Sequence, residues 1–151
     1  MFKKILVATD GSEYSHKGLE AAVDLAQKHP NMEIHLVHVV DSLLLTRIGD
    51  LIHYTGSAAF EKDTQDILEK EAKEVLAQAT QYLEQRIPDN KVIPHLEFGY
   101  PPKLICDCAK KNGADLIIVG SKGSRGVERL LMGSVASEVV NQSTLNVLIL
   151  K

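Results

Sequence analysis

Residues 115–140 have the sequence DLIIVGSKGSRGVERLLMGSVASEVV. The continuous apolar run 116–119, closed by a glycine, predicts a strand buried in a parallel sheet, and 135–140 predicts a helix. The segment between them has the spacing G-x2-G-x9-G-S, formed by Gly120, Gly123, Gly133 and Ser134. Glycines at a strand exit allow sharp turns and let backbone amides approach a ligand closely. Because a helix N-terminus favours phosphate, this strand–loop–helix unit predicts a nucleotide site.

Each of these positions also has a structural explanation. A glycine after a strand often forms only a turn, and Ser134 can serve as an N-cap. The joint spacing within one strand–loop–helix unit favours phosphate binding. The sequence contains neither a Walker A motif nor G-x-G-x-x-G. The two commonest phosphate-binding fingerprints are therefore excluded.

Five apolar runs alternate with four helical stretches along the chain. The predicted strands are residues 3–9, 33–40, 91–98, 115–119 and 146–150. The predicted helices are residues 15–28, 61–86, a stretch from Pro101-Pro102 to Gly113, and 135–140. This alternation predicts an α/β fold: a doubly wound, five-stranded parallel sheet in the order 3-2-1-4-5 with helices on both faces. We expect a single domain over residues 1–151, with Pro94 marking the third strand as an edge.

Residues 41–60 do not fit the alternation. The segment is long for a connection and mixes apolar residues with Gly49 and Gly56. Connections of this length are often lids or binding loops, so the segment is predicted to cover a ligand or a partner chain part of the time. The alternative is a short helix packed on the core.

The predicted strand order brings Asp10 to the nucleotide site. Strands one and four become neighbours, and ligands of doubly wound sheets bind beyond the carboxyl ends of the strands at this switch point. Strand one ends at Ala8-Thr9-Asp10, so Asp10 is predicted to bind Mg²⁺, directly or through water, or to accept a hydrogen bond from a ribose hydroxyl. The alternative is that Asp10 only shapes the turn 10–12 or caps the first helix.

Other candidate residues follow from the same geometry. Val39, at the end of strand two, is a candidate for reading an adenine edge through its backbone, whereas His38 is interpreted as a core or edge histidine. Lys122 is the first candidate among the basic residues for a phosphate contact, ahead of Arg125 and Arg129. A solvated basic surface is the competing interpretation for each.

Composition limits the function classes. The chain has 151 residues, a net charge of −3, 44% hydrophobic and 25% charged residues, so there is no electrostatic case for nucleic acid. No apolar stretch has the length of a membrane span, and a cytoplasmic location is expected. Cys106 and Cys108 are interpreted as small, partly buried helix residues on different faces, not as a disulfide or a zinc site.

Several segments resemble the universal stress protein family, and the resemblance covers essentially the whole chain. They are KILVATDGS at 4–12, HVVD at 38–41, GYP at 99–101, GSKG at 120–123 and LLMGSVA at 130–136. The last two look like the nucleotide signature of the family's ATP-binding branch. The resemblance implies a Rossmann-like fold of the adenine nucleotide alpha hydrolase-like type.

The resemblance also implies roles for individual residues. Ala8, Thr9 and Asp10 would line the adenosine and metal side, and Val39 would contact adenine through its backbone. The residues implied to wrap ribose and phosphates are Gly120, Ser121, Lys122, Gly123, Gly133, Ser134 and Val135. Many relatives have proline at the position of Ala8 and His or Arg at that of Lys122. A homodimer joined through strand 146–150 is implied as well, which would cover an apolar sheet edge.

These observations predict an ATP-binding regulatory protein of the stress response that acts as a homodimer, with Mg²⁺ as the accompanying ion and a regulated protein as a further partner. A binding module needs no positioned general base, and the sequence identifies none. The alternative is a slow ATPase or a nucleotidyl-transfer enzyme that uses the same site.

Overall fold

The computed structural model describes residues 1–56, 58–123 and 132–151, without the side chains of 52, 55 and 58–61. The strands are β1 (Lys4–Ala8), β2 (Glu33–Asp41), β3 (Lys91–Gly99), β4 (Leu116–Gly120) and β5 (Asn146–Leu150). The helices are α1 (Glu13–Lys28), α2 (Ser42–Thr55), α3 (Ala58–Arg86), α4 (Pro101–Lys111) and α5 (Ser134–Gln142). Each predicted strand is present, within one residue of its predicted ends.

The five strands form one parallel sheet in the order β3-β2-β1-β4-β5, which confirms the predicted topology. Val7 of β1 lies between Leu36 of β2 and Ile118 of β4. The exits of β1 and β4 are therefore neighbours at the carboxyl edge of the sheet. Pro94 lies in β3 at the edge of the sheet, where its missing N–H costs no ladder bond.

Alternating side chains of the sheet form two apolar layers. Ile5 and Val7 pack in one layer with α1 and α3, and Leu6 packs in the other with α4 and α5. Helices therefore cover both faces, as predicted. Cys106 and Cys108 are free thiols, both buried in the second layer, so they are more deeply buried than expected. Burial raises the pKa of both thiols.

The segment after β2 is helical, which adds a fifth helix in the described residues to the four that were predicted. Helix α2 begins where Asp41 Oδ1 accepts the Leu43 N–H at 2.8 Å. None of its described side chains is buried, and Leu51 and Tyr54 are 61% and 94% exposed. The alternative of a helix is therefore correct, and none of its described side chains belongs to either of the two apolar layers. In the part of the chain that is described, no helix is long and apolar enough to cross a membrane.

A polar network joins three strands at the amino edge of the sheet, opposite the candidate site. Glu33 Oε1 lies 2.8 Å from His35 Nε2 and 3.3 Å from Lys4 Nζ, and Oε2 lies 3.0 Å from Lys91 Nζ. His35 Nδ1 is 2.8 Å from His95 Nε2. The hydrogen bonds from Lys91 and His35 lower the pKa of Glu33 to about 2.

We expect Glu33→Gln to remove part of the acid sensitivity of the fold. Because the pKa of Glu33 is lower in the folded chain than in the unfolded chain, its ionised form stabilises the protein above about pH 4.5, and this stabilisation is lost as pH falls toward 2. The variant should be less stable by about 1 kcal/mol at pH 7, with the difference vanishing near pH 2. Urea unfolding across this range measures it. A constant difference at all pH values would contradict the assignment.

Candidate functional site

The exit of β1 continues into a hydrogen-bonded turn, residues 9–12, that leads into α1. Thr9 N–H donates to Val37 O at 2.9 Å, so pairing with β2 extends one residue beyond β1. Gly11 has a φ of +78°, a conformation that favours glycine. Ser12 is the N-cap of α1, and its Oγ accepts the Ser15 N–H at 3.2 Å. The turn is therefore fixed by the chain itself.

Asp10 is part of this turn and lies close to the glycine segment, by which we mean residues 120–134, of which 120–123 and 132–134 are described. Its Oδ1 accepts the Ser12 N–H at 2.9 Å, so the turn-shaping role considered from the sequence is present. A Cβ built on Gly123 would lie 2.9 Å from Asp10 Oδ2. The fold thus brings Asp10 and Gly123 together, although 113 positions separate them in the chain. A role of Asp10 toward metal or ribose stays a prediction.

The two halves of the glycine segment meet through the main chain of Ser121. The Ser121 N–H donates to Leu150 O at 2.7 Å, and Ser121 O accepts the Gly133 N–H. The residue is only 1% exposed. Ser121 therefore anchors the exit of β4 to β5 on one side and to the start of α5 on the other. Arg125 and Arg129, the other candidates for a phosphate contact, lie outside the described residues.

Two glycines of the signature have a direct packing role. A Cβ on Gly120 would lie 2.7 Å from the carbonyl carbon of Tyr14, and one on Gly133 would lie 3.3 Å from Ser121 O. The distance at Gly120 is shorter than any that a real Cβ shows to a backbone atom, whereas the distance at Gly133 is a tight contact. Both glycines are predicted from the sequence to let a ligand approach, and in the structure Gly120 is also needed where α1 packs against β4.

Helix α5 begins at the glycine segment without a side-chain cap. Its N-cap is Gly133, and Ser134 is the first helical residue, so the alternative that Ser134 is the N-cap is wrong. The amides of a first helical turn have no partner within the helix. Ser134 and Val135 are both exposed. The positive end of α5 therefore faces outward beside Lys122 and Gly123.

The residues predicted to contact the base, Ala8 and Val39, lie in β1 and β2. Ala8 and Val39 are partly buried and pack, together with Met132, against the apolar layer beneath α4 and α5. His38 Nδ1 donates to Thr9 O at 2.7 Å, so it links β2 to the exit of β1, as expected for an edge histidine. The half-buried side chains of Ala8 and Val39, at the carboxyl ends of β1 and β2, are called the apolar floor below.

A separate cleft opens on the opposite face. Its volume is about 260 Å³, and it lies between α1 and α3, with Thr9, Ser15 and Tyr82 among its lining residues. No residue of the glycine segment lines it. It shares Thr9, Gly11, Ser12 and Ser15 with the turn that leads into α1, so the cleft borders the site at this turn.

The described part of the site offers main-chain N–H groups, which suit an anion, and has few charged side chains. Among the described residues, no group of three or more His, Cys, Asp or Glu side chains is placed to hold a metal. Asp10 is the carboxylate at the junction of the two loops. Mg²⁺ is commonly held by one or two carboxylates together with substrate phosphates and water. The residues present therefore fit a magnesium ion that arrives with a nucleotide, and not a separate metal centre.

Two residues of this region were not identified from the sequence. Ser15 is buried, its Oγ donates to Ser12 O at 2.9 Å, and it lies 3.3 Å from Thr9 Oγ1. Tyr14 packs its backbone against Gly120 and its ring near Lys122. A serine and a tyrosine in the first turn of an amphipathic helix carry no distinguishing signal, so sequence alone could not single them out.

The chain is similar to known proteins in its sequence and in its fold. The universal stress protein family model matches residues 1–151. The chain is 33% identical to universal stress protein YxiE of Bacillus subtilis, with 100% of both chains covered. It is 30% identical to universal stress protein MJ0577 of Methanocaldococcus jannaschii, covering 100% of this chain and 96% of the relative.

Solved structures agree with the observed fold. The structure of MJ0577 has a TM-score of 0.85 and covers 100% of this chain and 96% of its own. A universal stress protein from Archaeoglobus fulgidus in complex with dAMP has a TM-score of 0.66 at 24% identity, covering 98% and 97%. At that identity the likeness establishes the fold alone.

We expect Gly120→Ala to destabilise the protein by about 1–3 kcal/mol, because the new methyl group would overlap the backbone of α1. Gly49→Ala is the matched control, since a Cβ there has nothing within 4 Å and the position is inside α2. That variant should gain about 0.5–1 kcal/mol from helix propensity. Urea unfolding measures both changes. Equal effects of the two substitutions would contradict the packing role of Gly120.

Proposed function

The chain belongs to the universal stress protein family, and on that premise we propose that it binds an adenine nucleotide, ATP with Mg²⁺, at the carboxyl ends of β1 and β4. The protein would act as one domain whose nucleotide state is sensed by a partner. The proposal assigns the phosphates to the glycine segment and to the start of α5. It assigns the base to the apolar floor formed by Ala8 and Val39.

The observation that carries the proposal is the uncapped start of α5. Helix α1 begins with a side-chain cap from Ser12, whereas α5 begins at Gly133, which has no side chain to offer. Main-chain amides and the helix dipole at such an end favour an anion. This helix end lies at the switch point of a doubly wound sheet, where ligands of such folds bind.

The fold, and the ligand found in a protein of similar structure, support a class of ligand for this site. The Archaeoglobus fulgidus protein, which has this fold, forms a complex with dAMP, and this supports adenine nucleotides as the class to test first. Apolar side chains beside the main-chain N–H groups at the start of α5 suit a flat base attached to phosphate. The backbone of Val39, past the β1–β2 register that ends at Ala8 and Val37, is the candidate for the adenine edge.

Binding and regulation explain this site better than catalysis. Of the hydroxyls near the proposed phosphates, those of Thr9 and Ser121 belong to residues that are only 5% and 1% exposed, while Ser134 at the start of α5 is exposed. Phosphoryl transfer needs an oriented nucleophile beside stabilising cations. The exposed helix α2 directly follows β2, so it is the candidate for the element whose surface a partner would read. The second candidate function is slow hydrolysis of ATP at the same site.

We further propose that two copies pair through β5. This strand is at the edge of the sheet, and Leu148 is 38% exposed there. An exposed apolar edge strand is prone to uncontrolled association unless it is covered. Sedimentation equilibrium tests the pairing, and a monomer at micromolar concentration would contradict it.

The first experiment compares Ser134→Asp with Ser134→Asn. A carboxylate at the start of α5 should stabilise the helix by about 0.3–1 kcal/mol through the dipole, yet weaken ATP binding at least about tenfold by repelling the phosphates. The neutral Asn variant should bind nearly as well as the wild type. Calorimetric titration with ATP gives affinities, and urea unfolding gives stabilities. Unchanged affinity in a folded Asp variant would refute the phosphate site.

The second experiment concerns Asp10, which would supply a carboxylate to Mg²⁺; the ion itself neutralises phosphate charge when bound. Asp10→Asn keeps an oxygen acceptor for the Ser12 N–H, so the turn should survive. We expect about a tenfold loss of ATP affinity with Mg²⁺ and little change in EDTA, because the carboxylate helps only when a cation intervenes. Titrations under both conditions measure this, with phosphate release recorded in parallel. The same loss in EDTA would exclude the metal role.

A further inference from the structure

Two ammonium groups lie near the ring of Tyr14, at the border between α1 and the glycine segment. Lys17 Nζ is 5.3 Å from the ring centroid, and Lys122 Nζ is 5.7 Å from it. Both distances are within the range of a cation–π interaction. Lys17 Nζ also donates to Lys151 O at 3.0 Å, so this lysine is tied to the end of the chain beside β5.

The main chain of Tyr14 packs closely against the end of β4. Gly120 leaves room for the Tyr14 main chain, which a Cβ would approach to 2.7 Å. Tyr14 is the second residue of α1, one turn before Lys17. The main chain that carries the ring is therefore held at the exit of β4, two residues before Lys122.

Lys122 extends between two helix N-termini. Its Cα lies 3.4 Å from the point where a Cβ on Gly133 would stand, so its main chain abuts the N-cap of α5. Its ammonium lies over Tyr14 in the first turn of α1. The side chain thus directs its charge from the start of α5 toward the first turn of α1.

We propose that Tyr14 is a positioning residue that holds the Lys122 ammonium for the terminal phosphates of the nucleotide, and so makes the site prefer ATP to AMP. The inference rests on the proposed function and adds specificity for tail length to it. The first phosphate would interact with the amides of α5, which both nucleotides can use. The outer phosphates, which AMP lacks, would interact with Lys122. The ring contributes by limiting the positions of a flexible side chain before the ligand arrives.

The test measures ATP and AMP affinities by calorimetry for the wild type, Tyr14→Leu, Tyr14→Phe and Lys122→Met. Tyr14→Leu should weaken ATP about three- to fivefold and AMP less than about twofold, as expected for loss of one cation–π contact. Tyr14→Phe keeps the ring and should bind both nucleotides as the wild type does. Lys122→Met should weaken ATP about tenfold or more and AMP little, as for loss of a charge-assisted contact.

The double variant Tyr14→Leu/Lys122→Met completes the cycle. If the ring acts through the lysine, Tyr14→Leu should have no further effect on ATP affinity once Lys122 is replaced. Equal losses for ATP and AMP, a Phe variant as weak as the Leu variant, or additive losses in the double variant would each overturn the inference. These outcomes leave nucleotide binding itself intact. Failure of the wild type to bind either nucleotide would instead overturn the proposed function, and the inference with it.

Discussion

The close approach of α1 to the exit of β4 is the constraint from which the carboxyl edge of this sheet is built. The backbone of Tyr14 lies where a side chain on Gly120 would stand. Because α1 follows β1 after a short turn, its start is possible only if the neighbouring strand leaves this space. The same contact positions the turn 9–12, with Asp10 against Gly123, and the ring of Tyr14 beside Lys122. The absence of a side chain on Gly120 thus affects both the turn 9–12 and the glycine segment.

Hydrogen bonds of the main chain complete this arrangement. Ser121 is bonded to Leu150 at the end of β5 and to Gly133 at the start of α5. The edge strand and the helix are therefore held to one buried residue. If two copies pair through β5, a shift of that strand would reach the start of α5 through a single residue. This is a physical route by which a nucleotide at α5 and a partner at β5 could influence each other, provided that the segment has two arrangements.

The sequence predicted what depends on periodicity and chain order. Continuous apolar runs gave the strands, alternation gave the parallel sheet, and the switch-point rule brought Asp10 to Gly123. It did not predict what depends on the atoms opposite a residue. The packing role of Gly120 requires knowledge of where Tyr14 lies, and the support from Ser15 requires the path of the turn. Helix α2 was expected from the sequence only as the alternative to a lid, because none of its described side chains is fully buried.

A site built from main-chain donors has different properties from one built from reactive side chains. In the proposed site the donors belong to the glycine segment and to the first turn of α5, while Thr9 and Ser121 are shielded from solvent. Such donors can bind a phosphate, but they cannot accept a proton from water or attack phosphorus. In the function we propose, the charged groups Asp10 and Lys122 would determine which nucleotide is held and with which cation. Such a site would suit a protein that reports which nucleotide it holds better than one that hydrolyses it.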